Sequence, residues 1–247
     1  LADGVASDAD YALFGQVVVA YQAVLNEVER RLRELGFEAT IRVKTIGTLT
    51  DKLRRDPTLK LRSIHDVAGA RIVIDGRLDD QDDAKSRVID AFASCPREPV
   101  IKDRRRSPSY GYRAVHVIVF PENLPVEIQI RTKHQDQWAQ VVESLGDRWG
   151  RGLRYGAGPD DPDALAGEPF AEGLTRAQVV ETWLGISDTM YETQLLAVEI
   201  AGLHQRIHED PGSAKDLMAV VDNRLKETDA ALTRYMGMLG VSIVSEA

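Results

Sequence analysis

Two short runs of alternating residues constrain this chain more than any other feature. Arg113, Ala114, Val115, His116, Val117, Ile118 and Val119 form the first; Val126, Glu127, Ile128, Gln129, Ile130 and Arg131 form the second. Pro121 to Pro125 lies between them, and the pair reads as a β-hairpin. Successive strand side chains point to opposite faces. Glu127, Gln129 and Arg131 therefore share one face, and Val126, Ile128 and Ile130 share the other. A carboxylate, an amide and a guanidinium in one row need water or partners, because burying them unpaired is costly. Alternation alone favours a solvated sheet face; the sharper reading is a polar site.

The remaining punctuation places further elements around this hairpin. Ala9 to Leu35 has helical periodicity, with Val17, Val18, Tyr21, Val24, Leu25, Val28 and Leu32 on one stripe and Gly36 as C-cap. Strands are expected at 37–45, 70–74 and 100–102, and helices at 48–56, 79–94 and 132–148. The segment from Tyr155 to Gly173 is rich in Gly, Pro and Asp and reads as an exposed loop. Two helices follow, over 175–209 and 213–239, interrupted at Asp210-Pro211-Gly212, and read as an antiparallel hairpin. The expected class is α/β, a mixed β-sheet flanked by helices, with an N-terminal helix and a C-terminal helical hairpin. The expected divisions are 1–36 (helix), 37–152 (catalytic core), 153–173 (loop or linker) and 174–247 (helical extension).

Charge narrows the ligand class. The net charge is −8, which argues against generic nucleic-acid coating. Yet Arg42, Lys44, Lys52, Arg54, Arg55, Lys60, Arg62 and Arg71 face only Asp51, Asp56 and Asp66 across 40–72, and Lys102, Arg104, Arg105, Arg106 and Arg113 form a second cluster. Basic charge concentrated in an acidic protein points to a small polyanion such as a nucleotide. No apolar run is long enough to span a bilayer and no signal pattern opens the chain, so the expected location is the cytoplasm, with no membrane partner. Cys95 is the sole cysteine, which excludes an intrachain disulfide and a cysteine-rich zinc site.

Arg42 and Lys44, two residues apart on a strand, point the same way. Thr48 is expected to cap the following helix, leaving backbone N–H groups and Lys52 beside it for phosphates. Asp66 precedes an apolar strand and Arg71 lies within it. With Glu127 on a neighbouring strand, Asp66 makes a two-carboxylate candidate for Mg²⁺, which takes few protein oxygens and keeps substrate phosphates.

Four segments, Arg42 to Leu53 (RVKTIGTLTDKL), Asp66 to Ile72 (DVAGARI), Tyr110 to His116 (YGYRAVH) and Val126 to Thr132 (VEIQIRT), resemble the RelA/SpoT-type (p)ppGpp synthetase domain in order and approximate spacing. The resemblance covers about Phe37 to Trp149, and the flanking helices resemble those of a stand-alone small alarmone synthetase or a toxin-type relative. It implies a nucleotidyltransferase-like synthetase fold and transfer of the β,γ-pyrophosphate of ATP to the 3′-hydroxyl of GDP or GTP. Under it, Arg42, Lys44, Thr48, Lys52 and Arg71 contact the donor ATP. Asp66 and Glu127 are catalytic and bind Mg²⁺, with Glu127 also helping to activate the acceptor hydroxyl. Lys102, Tyr112, His116, Gln129 and Arg131 bind the acceptor, with Tyr112 stacking on its base. The chemistry suits these groups, since phosphoryl transfer depends on placement and charge neutralisation.

The loop before Tyr112 departs from the family pattern. Ser109 stands where a lysine is usual and Tyr110 where an asparagine precedes the glycine. Alternatives therefore stay open: a toxin-type pyrophosphokinase acting on the tRNA 3′ end or making adenosine alarmones, restrained by an antitoxin, or an inactive domain that binds nucleotides or a partner. The helical extensions are also candidates for homo-oligomer formation.

Overall fold

The computed structural model describes residues 8–55, 58, 64, 66–170 and 172–209, with isolated positions at 219, 222, 223, 226, 230 and 233. The second expected C-terminal helix, 213–239, and the Lys52 side chain lie outside the described residues. The chain divides into two compact units. The first comprises 1–75, 80–103 and 114–131; the second comprises 76–79, 104–113 and 132–247.

The first unit holds α1 (Asp8–Glu34), β1 (Ala39–Val43), α2 (Ile46–Arg55), β2 (Ala68–Ile74), α3 (Leu78–Ala91), β3 (Val100–Asp103), β4 (Val115–Val119) and β5 (Val126–Thr132). The strands form one mixed sheet in the order β1-β2-β5-β4-β3. β1 pairs antiparallel with β2, β3 with β4, and β4 with β5. The expected hairpin is therefore present, with Val115 opposite Ile130 and Val119 opposite Val126. Its connection is a 3₁₀ turn over Pro121–Asn123.

One sheet face makes the core of this unit. Ala68, Ala70, Ile72, Val115, Val117, Val119, Val126, Ile128 and Ile130 pack with Tyr21, Val24, Leu25, Val28 and Leu32 of α1 and with Val88 and Phe92. This is the helical stripe read from the sequence meeting the apolar alternation of the strands. The α1 terminus closes as Gly36 N–H donates to Arg33 O (2.9 Å) and Phe37 N–H to Leu32 O (2.9 Å). The Gln81 amide, fully buried, donates to Ile130 O at 2.8 Å and ties α3 to β5.

Two local expectations are corrected. The helix near Thr48 begins earlier, at Ile46, and its cap is Thr45, whose Oγ1 accepts the Thr48 N–H at 3.3 Å. Thr48 is inside the first turn, where its own hydroxyl donates to Thr45 O at 2.8 Å. Either threonine suits a cap by residue type; the place where the strand ends chooses between them. The polar row of β5 is also not solvated: Glu127 is 9% exposed and Arg131 3%.

The second unit holds α4 (Lys133–Trp149), a 3₁₀ turn (Arg151–Tyr155) and α5 (Arg176–Glu209). Thr132 caps α4 in a reciprocal capping box with Gln135 and also accepts from Gln194 Nε2 at 2.7 Å. The core here is Trp138, Leu145 and Trp149 of α4 with Leu153, Phe170, Val179, Trp183, Ile186 and Met190. Trp138 Nε1 donates to Trp183 O (2.9 Å) and Trp183 Nε1 to Trp138 O (3.3 Å), so two buried indoles satisfy each other's helix. The Gly/Pro-rich segment after Tyr155 is more than a surface loop. It contributes buried Ala166 and Phe170, the latter 5.2 Å from the Trp149 ring between centroids. Its composition marks turns but cannot show that Ala166 and Phe170 are buried in the core of this unit.

No helix among the described residues is long and apolar enough to cross a membrane.

Candidate active site

The face of the sheet opposite the core collects most of the residues singled out by the sequence. In β1 and β2, Arg42 stands opposite Gly69 and Thr40 opposite Arg71. In β3 to β5, Lys102 stands opposite His116, and His116 opposite Gln129. Cross-strand partners share a face, so Arg42, Arg71, Lys102, His116, Glu127, Gln129 and Arg131 belong to one surface. Arg42 and Lys102 are exposed there, and Arg71 is half-buried.

A hydrogen-bonded row runs along β5. Gln129 Nε2 donates to Glu127 Oε1 at 3.0 Å, and Arg131 Nη2 donates to Gln129 Oε1 at 3.0 Å. His116 Nδ1 lies 3.4 Å from Glu127 Oε2. These partners answer the desolvation problem posed by the sequence. Burial pushes the Glu127 carboxyl up, but the His116 hydrogen bond and charge, with help from Gln129, outweigh it and hold the group at about 2. The Asp66 carboxylate acts on it in the opposite sense, raising it as a like charge does. Glu127 is thus kept ionised, with a second carboxylate within electrostatic reach.

Asp66 is held by Lys44, whose Nζ lies 2.5 Å from Asp66 Oδ2, while Lys44 N–H donates to Val67 O at 2.8 Å just beyond the β1–β2 ladder. Both side chains are partly buried, at 19% and 27% exposure. Thr48 is exposed on α2.

Two carboxylates of this kind suit Mg²⁺. It binds through one or two protein oxygens and completes its shell with water and phosphates. Among the described residues no group of three or more His, Cys, Asp or Glu side chains could hold a metal by itself. Asp66 and Glu127 would therefore supply only part of a hard cation's oxygen shell.

Tyr112 belongs to the second unit. It closes a turn in which Ser109 N–H donates to Tyr112 O (3.2 Å) and Tyr112 N–H to Ser109 O (3.0 Å). It is half-buried, and it lines a cavity of about 90 Å³ with Ser109, Tyr110, Trp138, Val142, Glu143 and Arg154 among others. The arginine-rich loop is not uniformly a basic surface. Arg105 is buried, and its carbonyl accepts from Arg113 Nη1. Arg113, also buried, reaches Ser187 Oγ at 3.1 Å and Asp188 Oδ1 at 2.5 Å and lies over the Tyr191 ring at 4.4 Å. Ser187, Asp188 and Arg154 escaped the sequence reading. Ser187 and Asp188 lie far along the chain from the Arg113 they hold, while Arg154 donates to Glu143 O at 2.9 Å and Asp147 Oδ1 at 2.6 Å; no short-range pattern marks any of the three.

Comparison with known proteins gives this geometry a class. The fold matches small alarmone synthetase 1 from Bacillus subtilis with a TM-score of 0.57 at 22% identity, over 78% of this chain and 98% of that one. It matches small alarmone synthetase 2 from the same organism at 0.54 and 19%, over 78% and 98%. The chain therefore shares the fold of these two proteins. Residues 41–145 match the family described as a region found in RelA / SpoT proteins. An uncharacterized protein of Mycobacterium tuberculosis is 38% identical over 186 residues, 73% of this chain and 64% of its own length. The bifunctional (p)ppGpp synthase/hydrolase SpoT of Escherichia coli K12 is 30% identical over 126 residues, 49% of this chain and 17% of its own length. The chain thus spans less than two thirds of these relatives.

Proposed function

We propose that this chain is an ATP pyrophosphokinase that moves the β,γ-diphosphate of ATP to the 3′-hydroxyl of GDP or GTP, forming (p)ppGpp and AMP. One observation carries the reading: a buried Glu127 carboxyl, tied to His116 and Gln129, on the sheet face that also bears Arg42 and Arg71. The RelA/SpoT match of residues 41–145 supports it.

In this reading the acceptor 3′-hydroxyl oxygen attacks the β-phosphorus, the bond from that phosphorus to the α,β-bridging oxygen breaks, AMP leaves, and the hydroxyl proton is released to water. Asp66 and Glu127 would hold Mg²⁺, whose contribution is to neutralise phosphate charge. Arg42, Lys44 and Arg71, with Thr48 and Lys52 beside them, bind the donor triphosphate and stabilise its charge. A carboxyl held at about 2 is a weak base, so Glu127 serves as an anionic ligand and orients the acceptor hydroxyl more than it stores a proton. Lys102, Gln129 and Arg131 bind acceptor phosphates and ribose, His116 keeps Glu127 in place, and Tyr112 stacks on the acceptor base.

The test is transfer of label from ATP to GDP, GTP, AMP, ATP and deacylated tRNA, each offered separately. Label on GDP or GTP, lost in Glu127→Gln with an unchanged circular-dichroism spectrum, is the expected result. Label on tRNA alone would replace the guanine nucleotide with the second reading, a toxin-type enzyme held by an antitoxin. The exposed Arg106 and Tyr110 favour that as the runner-up. No label on any acceptor would leave a nucleotide- or partner-binding domain.

A further inference from the structure

Tyr110 occupies a backbone position that a tyrosine rarely takes. It is the first central residue of the two-residue turn closed by Ser109 and Tyr112. Its φ is +52°, followed by Gly111 at +78°. Turns with two positive φ values favour Asn-Gly, because asparagine tolerates the left-handed region and larger side chains do not. A strained residue of this kind persists where the surrounding structure or a function retains it.

The ring is not hidden in a core to compensate. Tyr110 is 57% exposed. It packs across Gly156, where a Cβ would fall 1.9 Å from Tyr110 Cε1, so only a glycine lets the ring approach that closely. Tyr110 also lines two cavities. One, of about 90 Å³, it shares with Tyr112, Trp138, Glu143 and Arg154; the other, of about 80 Å³, it shares with Leu153, Gly156 and Trp183. Two tyrosines thus border one opening with an apolar floor. Glu143 and Arg154 also line it, the Arg154 guanidinium paired with Asp147 at 2.6 Å, and Arg106 is exposed on the same loop. A flat heteroaromatic ring carrying phosphates matches that combination: ring faces for the base, polar groups for its edge, and cationic charge for the phosphates.

Resting on the function proposed above, we infer that Tyr110 is a second aromatic surface for the acceptor nucleotide, working with Tyr112 to hold its base by stacking. Base selection by stacking is tolerant of base identity, since every base has a π-face. Tyr110 and Tyr112 then supply affinity for the acceptor's ring, and discrimination between bases falls to polar groups lining the same opening, such as Glu143.

Tyr110→Asn tests this without endangering the fold, because asparagine relieves the backbone position while removing the ring. Binding of GDP is followed by tryptophan fluorescence, with Trp138 lining the cavity, alongside ATP binding, acceptor KM and thermal unfolding. The expected result is about tenfold weaker GDP binding and a raised acceptor KM, with ATP binding and Tm maintained. Tyr110→Phe, which keeps the ring, restores the affinity. If Tyr110→Asn binds GDP as wild type does while Tyr112→Ala loses it, the inference fails and the proposed function stands. If the wild-type protein binds neither GDP nor GTP, the proposed function fails as well.

Discussion

Lys44 and Asp66 form a 2.5 Å ion pair at the edge of the sheet, joining the cation expected at the ATP phosphates to the carboxylate expected at the metal. Each is thereby positioned by the other, and the pair sits where β1 leaves its ladder with β2. On the proposed donor role, Lys44→Ala removes a phosphate ligand. We expect ATP affinity to fall about tenfold and its dependence on ionic strength to weaken, as measured by calorimetry at two salt concentrations. An unchanged affinity in this variant places the triphosphate elsewhere.

Glu127 predicts a pH dependence of stability. Its carboxyl is lowered from 4.5 to about 2 on folding, so the folded state favours the ionised form. The resulting stability is fully present above about pH 4.5 and is lost as pH falls from there through 2. Its upper size is about 3 kcal/mol. The difference in urea stability between wild type and Glu127→Gln should therefore shrink between pH 5 and pH 3. A difference independent of pH in that interval contradicts the ionised, hydrogen-bonded assignment.

Arg113 predicts a requirement for a fork. Its guanidinium reaches Ser187, Asp188 and the Arg105 carbonyl together. A lysine keeps the charge but cannot make all three contacts from one planar group. Arg113→Lys should cost about 2 kcal/mol in chemical denaturation. A double-mutant cycle with Asp188→Asn should show coupling beyond additivity, and additive effects would mean that the ion pair contributes nothing.

Gly111 predicts intolerance of any side chain. An added Cβ would fall 2.6 Å from Trp138 Cζ2 and 3.0 Å from Leu184 Cδ2, at a φ of +78°. Gly111→Ala should lower Tm by several degrees, since strain and overpacking act together at about 1–3 kcal/mol each. A variant with wild-type Tm would show that the turn moves freely away from Trp138.

The hairpin was legible because period-two alternation has one geometric meaning in a strand. The order of side chains on β5, and hence the sharing of a face by Glu127, Gln129 and Arg131, followed at once. The α1 stripe and the Gly36 cap were legible for the same local reason. Helix starts were less so. Thr45 and Thr48 are both plausible caps by type, and only the end of β1 selects the first.

Residue order alone sets which groups have chemical capacity: the carboxylates Asp66 and Glu127, the cations around them, and the strand pattern that aligns Glu127 with Gln129 and Arg131. Only the tertiary structure decided which partners these groups have. Strand order β1-β2-β5-β4-β3 brings Arg71 and His116 onto the face of Glu127, turning a row that alternation alone leaves solvated into a buried hydrogen-bonded one. It likewise separated Arg105 and Arg113 from the surface charges they resemble, joining Arg113 to Asp188 from 75 residues away. The physical reason is range. Periodicity and capping depend on neighbours within a few residues, whereas desolvation, ion pairing and a carboxyl's ionisation depend on groups that meet only when the chain folds.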